Sequence, residues 1–224
     1  MLSYKHGYHA GNNADVFKHI CLLQAYKSLK KHYKSISYID THAGSGIYKF
    51  DSDYMLKNKE YENGISKIEN YKYVNLSIKY YLKVLRNINN SKKLFYYPGS
   101  PSIMSYVTDN SDRLSFYELH NNEFQLLRKN FIKKTNCKVF HKDGFEFLKQ
   151  KINVNEKTLV LIDPSYEIKD DFVWFNNMGF YEWAVHNEFK LGKKDGHPLE
   201  DAHIAAVEYI KEHHDISKYT KSNP

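Results

Sequence analysis

The chain has 224 residues, and its 42% apolar and 26% charged content suits one soluble globular core rather than a disordered or fibrous chain. No run approaches the roughly 18 uninterrupted apolar residues of a membrane span, and Met1 to Ala10 lacks a secretion-signal pattern, so a cytoplasmic protein with no membrane partner is expected. A net charge of +7 admits a polyanionic partner through counterion release, although charge runs on helices are equally read as solvated faces; Cys21 and Cys137 form no Cys-x-x-Cys pair and suggest neither a disulfide framework nor a zinc site.

The spacing of Val16, Ile20, Leu23 and Leu29 predicts a helix from Ala14 to His32, with Asn13 as its cap. Ser37-Tyr38-Ile39 then reads as a strand that runs into the glycine-rich loop Asp40-Thr41-His42-Ala43-Gly44-Ser45-Gly46. Residues 48–98 form a polar, lysine- and asparagine-rich insertion with helical patterns at Ile65 to Tyr71 and Leu76 to Ile88, closed by the turn Tyr97-Pro98-Gly99-Ser100-Pro101. A second strand is expected over Leu114 to Leu119, a helix over Asn122 to Phe131, a third strand over Cys137 to His141 and a short helix over Gly144 to Lys151. Thr158 to Ile162 is a continuous apolar run of the kind a buried parallel strand shows, and it stops at Asp163-Pro164-Ser165-Tyr166.

Strands alternating with helices imply an α/β fold with a parallel sheet, whose ligands bind beyond the carboxyl ends of the strands. Each predicted strand ends in or just before an acidic residue: Asp40, Glu118, Asp143 and Asp163. The glycines after Asp40 would let a backbone approach a nucleotide or S-adenosylmethionine equally well, or simply make an ordinary turn. Glu118 could accept from two ribose hydroxyls or cap the next helix, and Asp143 could accept from a cofactor's adenine amine or cap the helix at Gly144. Asp163-Pro164-Ser165-Tyr166 is more telling. An adenine N6 amine is a poor nucleophile because its lone pair is delocalised into the ring. The Asp163 carboxylate and the Pro164 carbonyl could each take one N6 hydrogen, while Tyr166 stacks on the extruded base.

Together with Met1-Leu2-Ser3-Tyr4-Lys5-His6, His9-Ala10-Gly11-Asn12, Ala14-Asp15, Lys18-His19, Tyr97-Pro98-Gly99-Ser100-Pro101, Glu118-Leu119-His120 and Asp143-Gly144, these motifs resemble the RlmJ family of 23S ribosomal RNA adenine-N6 methyltransferases over about residues 1–171. The resemblance implies a Rossmann-like S-adenosylmethionine-dependent core, with a helical insertion after the first strand and 23S ribosomal RNA as partner. It implies cofactor contacts at His19, His42, Ser100, Glu118, Asp143, Gly144 and Asp163. Tyr4, His6, Lys18 and Tyr166 would face the substrate, and Asp163, Pro164 and Tyr166 would carry catalysis. Ser165 stands where the family usually has a second proline.

Beyond Asp171 the resemblance stops, and residues 172–224 read as a helical segment in place of the family's further sheet strands. Phe180, Trp183 and Ala184 lie in one stretch, and Ala202, Ala205, Ala206, Tyr209 and Ile210 share a face after Pro198. Its histidines, His186, His197, His203, His213 and His214, lack the tight spacing of a metal site, so no metal is expected. A DNA adenine methyltransferase and an impaired cofactor- or RNA-binding remnant are the competing readings, with a nicotinamide dehydrogenase a distant third. A monomer is expected.

Overall fold

The structure is a computed structural model that describes residues 5–70, 75–147 and 157–164, with the backbone of 148–149, 174–175 and 178–179. The chain divides into two compact units, Met1–Pro164 and Ser165–Pro224.

In the first unit, helix α1 (Asn13–Lys30) is capped by the Asn12 side chain, which accepts from the Asp15 N–H, so the cap lies one residue before the expected Asn13. Val16, His19, Leu22, Leu23 and Tyr26 recur at helical spacing and are all buried. Val16 and Leu23 enter one apolar cluster and Leu22 and Tyr26 another, so α1 serves two cores.

The second cluster lies against the sheet. Strands β1 (Ser37–Asp40), β4 (Arg113–Tyr117), β5 (Cys137–Phe140) and β6 (Thr158–Leu161) are all parallel, in the order β5-β4-β1-β6. Ile36, Tyr38, Leu114 and Phe116 bring side chains into this core, joined by Leu127 and Phe131 from helix α6 (Asn121–Phe131). The chain crosses from β1 through β4 to β5 and then returns to the opposite flank of β1, so the strand order reverses between β1 and β6. Such a reversal opens a crevice beyond the strands' carboxyl ends. The continuous apolar run from Thr158 to Ile162 predicts a buried strand. Instead β6 is half-buried, because it is one of the two edge strands of this sheet among the described residues.

The insertion follows the first strand as expected, but a small antiparallel ladder closes its base. Strand β2 (Ile47–Lys49) pairs with β3 (Tyr96–Pro98), and Gly99 N–H donates to Gly46 O at 3.0 Å. Between them lie helices α2 (Asp53–Asn58), α3 (Ile65–Glu69) and α4 (Leu76–Asn89). Tyr81, Leu82, Val84 and Leu85 of α4 pack with Met55, Ile65, Leu94, Tyr97 and Ile103 into the first cluster. The sequence read as a turn at Tyr97 to Pro101 is the end of β3 followed by helix α5 (Ser100–Val107), whose second residue is Pro101. A proline in the first turn starts a helix without losing a hydrogen bond, so here it marks a beginning rather than a break.

In the second unit, β7 (Trp174–Phe175) pairs antiparallel with β8 (Met178–Gly179), where a helical segment was expected. Paired aromatic residues at 174 and 175 favour a strand over a helix. The remaining residues of the expected C-terminal helices, and the five histidines among them, lie outside the described residues.

Candidate active site

The N-terminal residues 5–12 are tied to the insertion by several polar contacts. Ile65 N–H donates to Gly11 O at 2.9 Å, and Asn12 Nδ2 donates to Glu60 Oε2 at 3.1 Å. A side chain at Gly64 would overlap the Gly11 carbonyl, so only glycine allows this approach. The segment delivers His6 to Asp15 on the first turn of α1.

Asp15 is almost fully buried and gathers three donors. Gly11 N–H reaches its Oδ2 at 3.0 Å, His6 Nε2 lies 2.9 Å from the same oxygen, and Lys18 Nζ donates to Oδ1 at 2.6 Å. The Lys18 ammonium also donates to Asp163 Oδ2, so one cation bridges the start of α1 and the residue that follows β6. Burial by itself would raise the Asp15 pKa, but the charges of His6 and Lys18 hold it well below the usual carboxylate range. Burial likewise works against the charged forms of Lys18 and His6. Asp15 and Asp163 outweigh it at Lys18, and Asp15 does so at His6, so both pKa values are raised.

Beside this network lies Asp40, wholly buried at the end of β1. It accepts from the Tyr38 hydroxyl at 2.9 Å, from the Ser100 hydroxyl, and from His42 N–H at 3.4 Å. Burial raises its pKa to about 6, against the opposing effect of those hydroxyls and of Lys18. At the end of β4, Glu118 holds the glycine loop in place: Oε2 accepts from Gly44 N–H at 2.8 Å, and Oε1 from His120 N–H at 2.6 Å. Its pKa is raised by burial despite these two donors.

Past β5, Asp143 Oδ1 accepts from Phe145 N–H at 2.8 Å at the start of helix α7 (Gly144–Lys149). Gly144 presses against Thr41, where an added Cβ would lie 2.3 Å from the backbone oxygen, so the β5–α7 turn closes directly onto the loop after β1. The His42 ring packs edge-on against Phe145, with centroids 4.9 Å apart.

A family described as ribosomal RNA large subunit methyltransferase D, RlmJ, matches residues 33–176. The chain belongs to this RlmJ family. Ribosomal RNA large subunit methyltransferase J of Escherichia coli (strain K12) is 41% identical over 173 residues, covering 77% of this chain and 62% of that protein. The protein of the same name from Haemophilus influenzae is 40% identical over 174 residues, with the same two shares. The crystal structure of protein LPL1258 from Legionella pneumophila, assigned to the family DUF519, matches with a TM-score of 0.67 at 33% identity, over 80% of this chain and 64% of that one. The chain thus spans less than two thirds of the length of each of these relatives.

Within this RlmJ-family chain, most of the described residues singled out from sequence fall into two groups. His6, Lys18 and Asp163 converge on one ion-paired network, and Asp40 and Ser100 join each other beside it. His42, Glu118, Asp143 and Gly144 line the loops that follow β1, β4 and β5. His19 instead sits in the aromatic core, with Nδ1 3.0 Å from the Tyr97 hydroxyl, which is 3.0 Å from that of Tyr81. Burial and the Lys18 charge push its pKa down to about 3, so the ring is neutral. Pro164 is buried at the end of the first unit, whereas Tyr4, Ser165 and Tyr166 lie outside the described residues.

Asp15 is the site residue that sequence reasoning passed over. Its signal was an acid three residues before Lys18 on a helix, a spacing that ordinarily marks a surface pair. Nothing local shows that this pair is buried.

Proposed function

We propose that this chain transfers a methyl group from S-adenosylmethionine to the N6 amine of an adenine in 23S ribosomal RNA. The observation that carries the reading is the Asp163 carboxylate, standing just past β6 beside the strand-order reversal and held there by Lys18 from α1. The residues at the strand ends suit the cofactor. Glu118 offers lone pairs beyond the two that Gly44 and His120 engage, which fits a ribose diol, and carboxylates at Asp40, Asp143 and Asp163 suit a cationic ligand.

When bound, S-adenosylmethionine supplies an electrophilic methyl group on a sulfonium. The protein's own part is to orient and polarise the amine. Lys18 engages Asp163 Oδ2, and Oδ1 accepts from no described residue, which leaves it to take one N6 hydrogen. The Pro164 carbonyl takes the other, and Tyr166 stacks on the base. Lys18, kept cationic by two carboxylates, fixes the acceptor's orientation, and preorganised acceptors of this kind lower the barrier without reorganising during reaction.

The test is radiolabelled methyl transfer from S-adenosylmethionine to unmodified 23S RNA, with adenine-containing DNA in a parallel arm. RNA should be labelled in preference to DNA, and Asp163→Asn should lower the rate by about 10² to 10³. Labelling of DNA alone, or a wild-type rate from Asp163→Asn, would refute the reading.

A further inference from the structure

Between Asn70 and Thr108 the chain has six lysines and arginines and no aspartate or glutamate, so this segment holds six of the seven net positive charges. In the structure four of these cations gather. Lys79, Lys83 and Arg86 lie at i, i+4 and i+7 of α4, and with Lys92, Asn87 and Tyr106 they line a groove of about 970 Å³ on the insertion. None of these four cations forms an ion pair with a described residue, unlike Lys18 and Lys30, which each hold two carboxylates. Like charges one turn apart repel, and no acid on the helix offsets them. The Arg86 Nε is buried without a hydrogen-bond partner among the described residues, a donor left for an anion. Asn87 Nδ2 donates to the Tyr106 hydroxyl at 2.8 Å, which steadies a ring that is 47% exposed at the groove's edge.

We propose that this groove binds the phosphodiester backbone of the RNA substrate, apart from the strand-end site that handles the target base. The inference rests on the reading of RNA as substrate. From Lys79 to Arg86 the cations span about 10 Å along the helix, which reaches more than one phosphate, and Tyr106 offers a face on which a base can stack. Contacts of this type supply affinity and position with no sequence preference, which is what a flipping enzyme needs beside its base pocket.

The test is filter binding of unmodified 23S RNA transcript over a range of salt concentrations, with the wild-type chain and the triple variant Lys79→Gln/Lys83→Gln/Lys92→Gln. Losing three phosphate contacts should lower the slope of log affinity against log salt by about 2 and weaken binding roughly tenfold or more at about 0.1 M salt. S-adenosylmethionine affinity and melting temperature should not change. A control triple, Lys129→Gln/Lys133→Gln/Lys134→Gln, removes the same charge elsewhere and should have a clearly smaller effect. Equal losses in both triples, an unchanged slope, or tighter binding to anionic phospholipid vesicles than to RNA would overturn the proposal. Because binding is measured without methyl transfer, groove-dependent binding to RNA that is never methylated would overturn the proposed reaction and leave the groove standing. Normal methylation with an unchanged slope would do the reverse.

Discussion

The strand-end site and the groove on the insertion both depend on charge, but they use it in opposite ways. At the strand ends, Asp15, Lys18, His6 and Asp163 are paired and largely withdrawn from water, so each charge is fixed in direction by its neighbours. Along α4 and just beyond its end, Lys79, Lys83 and Lys92 are exposed and without described ion-pair partners. A buried, paired charge keeps its strength and loses its freedom, which suits the orientation of a single reacting atom. An exposed, unpaired one is screened and mobile, which suits a long flexible polyanion.

If burial is what separates the two regions, the largest effect should come from removing the hub of the buried network. Asp15→Ala leaves Lys18 and His6 facing one another without their shared anion, and removing one partner of a buried pair costs about 3 to 5 kcal/mol. Thermal melting should show a drop of about 2 to 4 °C for each kcal/mol lost. A change within about 1 °C would mean that water or Asp163 compensates, and that the site resembles the groove more than it differs from it.

A smaller effect is expected at Glu118, where one carboxylate both holds the Gly44 loop and is proposed to meet ribose hydroxyls. Glu118→Ala should weaken S-adenosylmethionine binding by about 1.5 to 3 kcal/mol in calorimetry, the range for hydrogen bonds to a charged group. Undiminished affinity would reduce Glu118 to a loop anchor.

The finest distinction concerns pH. The Asp40 pKa is raised from 3.8 to about 6, so its protonation favours the folded state fully below about pH 3.8, and this contribution is lost as pH rises through 6. Asp40→Asn removes the dependence. Relative to wild type, its melting temperature should therefore rise between pH 4.5 and pH 7.5, by something on the order of 5 °C. Parallel pH profiles would show that Asp40 does not titrate in this range.

The four sheet strands, α1, α4 and α6 could be read from the sequence because each has a periodic apolar pattern or a continuous run long enough to outweigh local noise. Shorter pieces could not. Helix α2 has only Met55 buried, and β2 and β3 are three residues each, too short for a period to show. The first turn of α5 was hidden by Pro98-Gly99-Ser100-Pro101, a sequence that stops one element and starts the next.

The acids at the strand ends and the family motifs around them are legible in the chain alone, because a parallel strand and the loop after it are contiguous. Which of those acids is paired, and with what, depends on how distant segments pack together. Lys18 and Asp163 are 145 residues apart, and Glu118 lies 74 residues from Gly44. They meet because β1 sits between β4 and β6, which brings the loops after these strands to one rim of the sheet, with the first turn of α1 reaching it through Lys18. The same holds for the groove: the sequence shows a stretch without acids, but whether its cations are neutralised depends on what packs against α4. Its apolar face turns to the core and its lysines to solvent, with no described carboxylate brought to meet them.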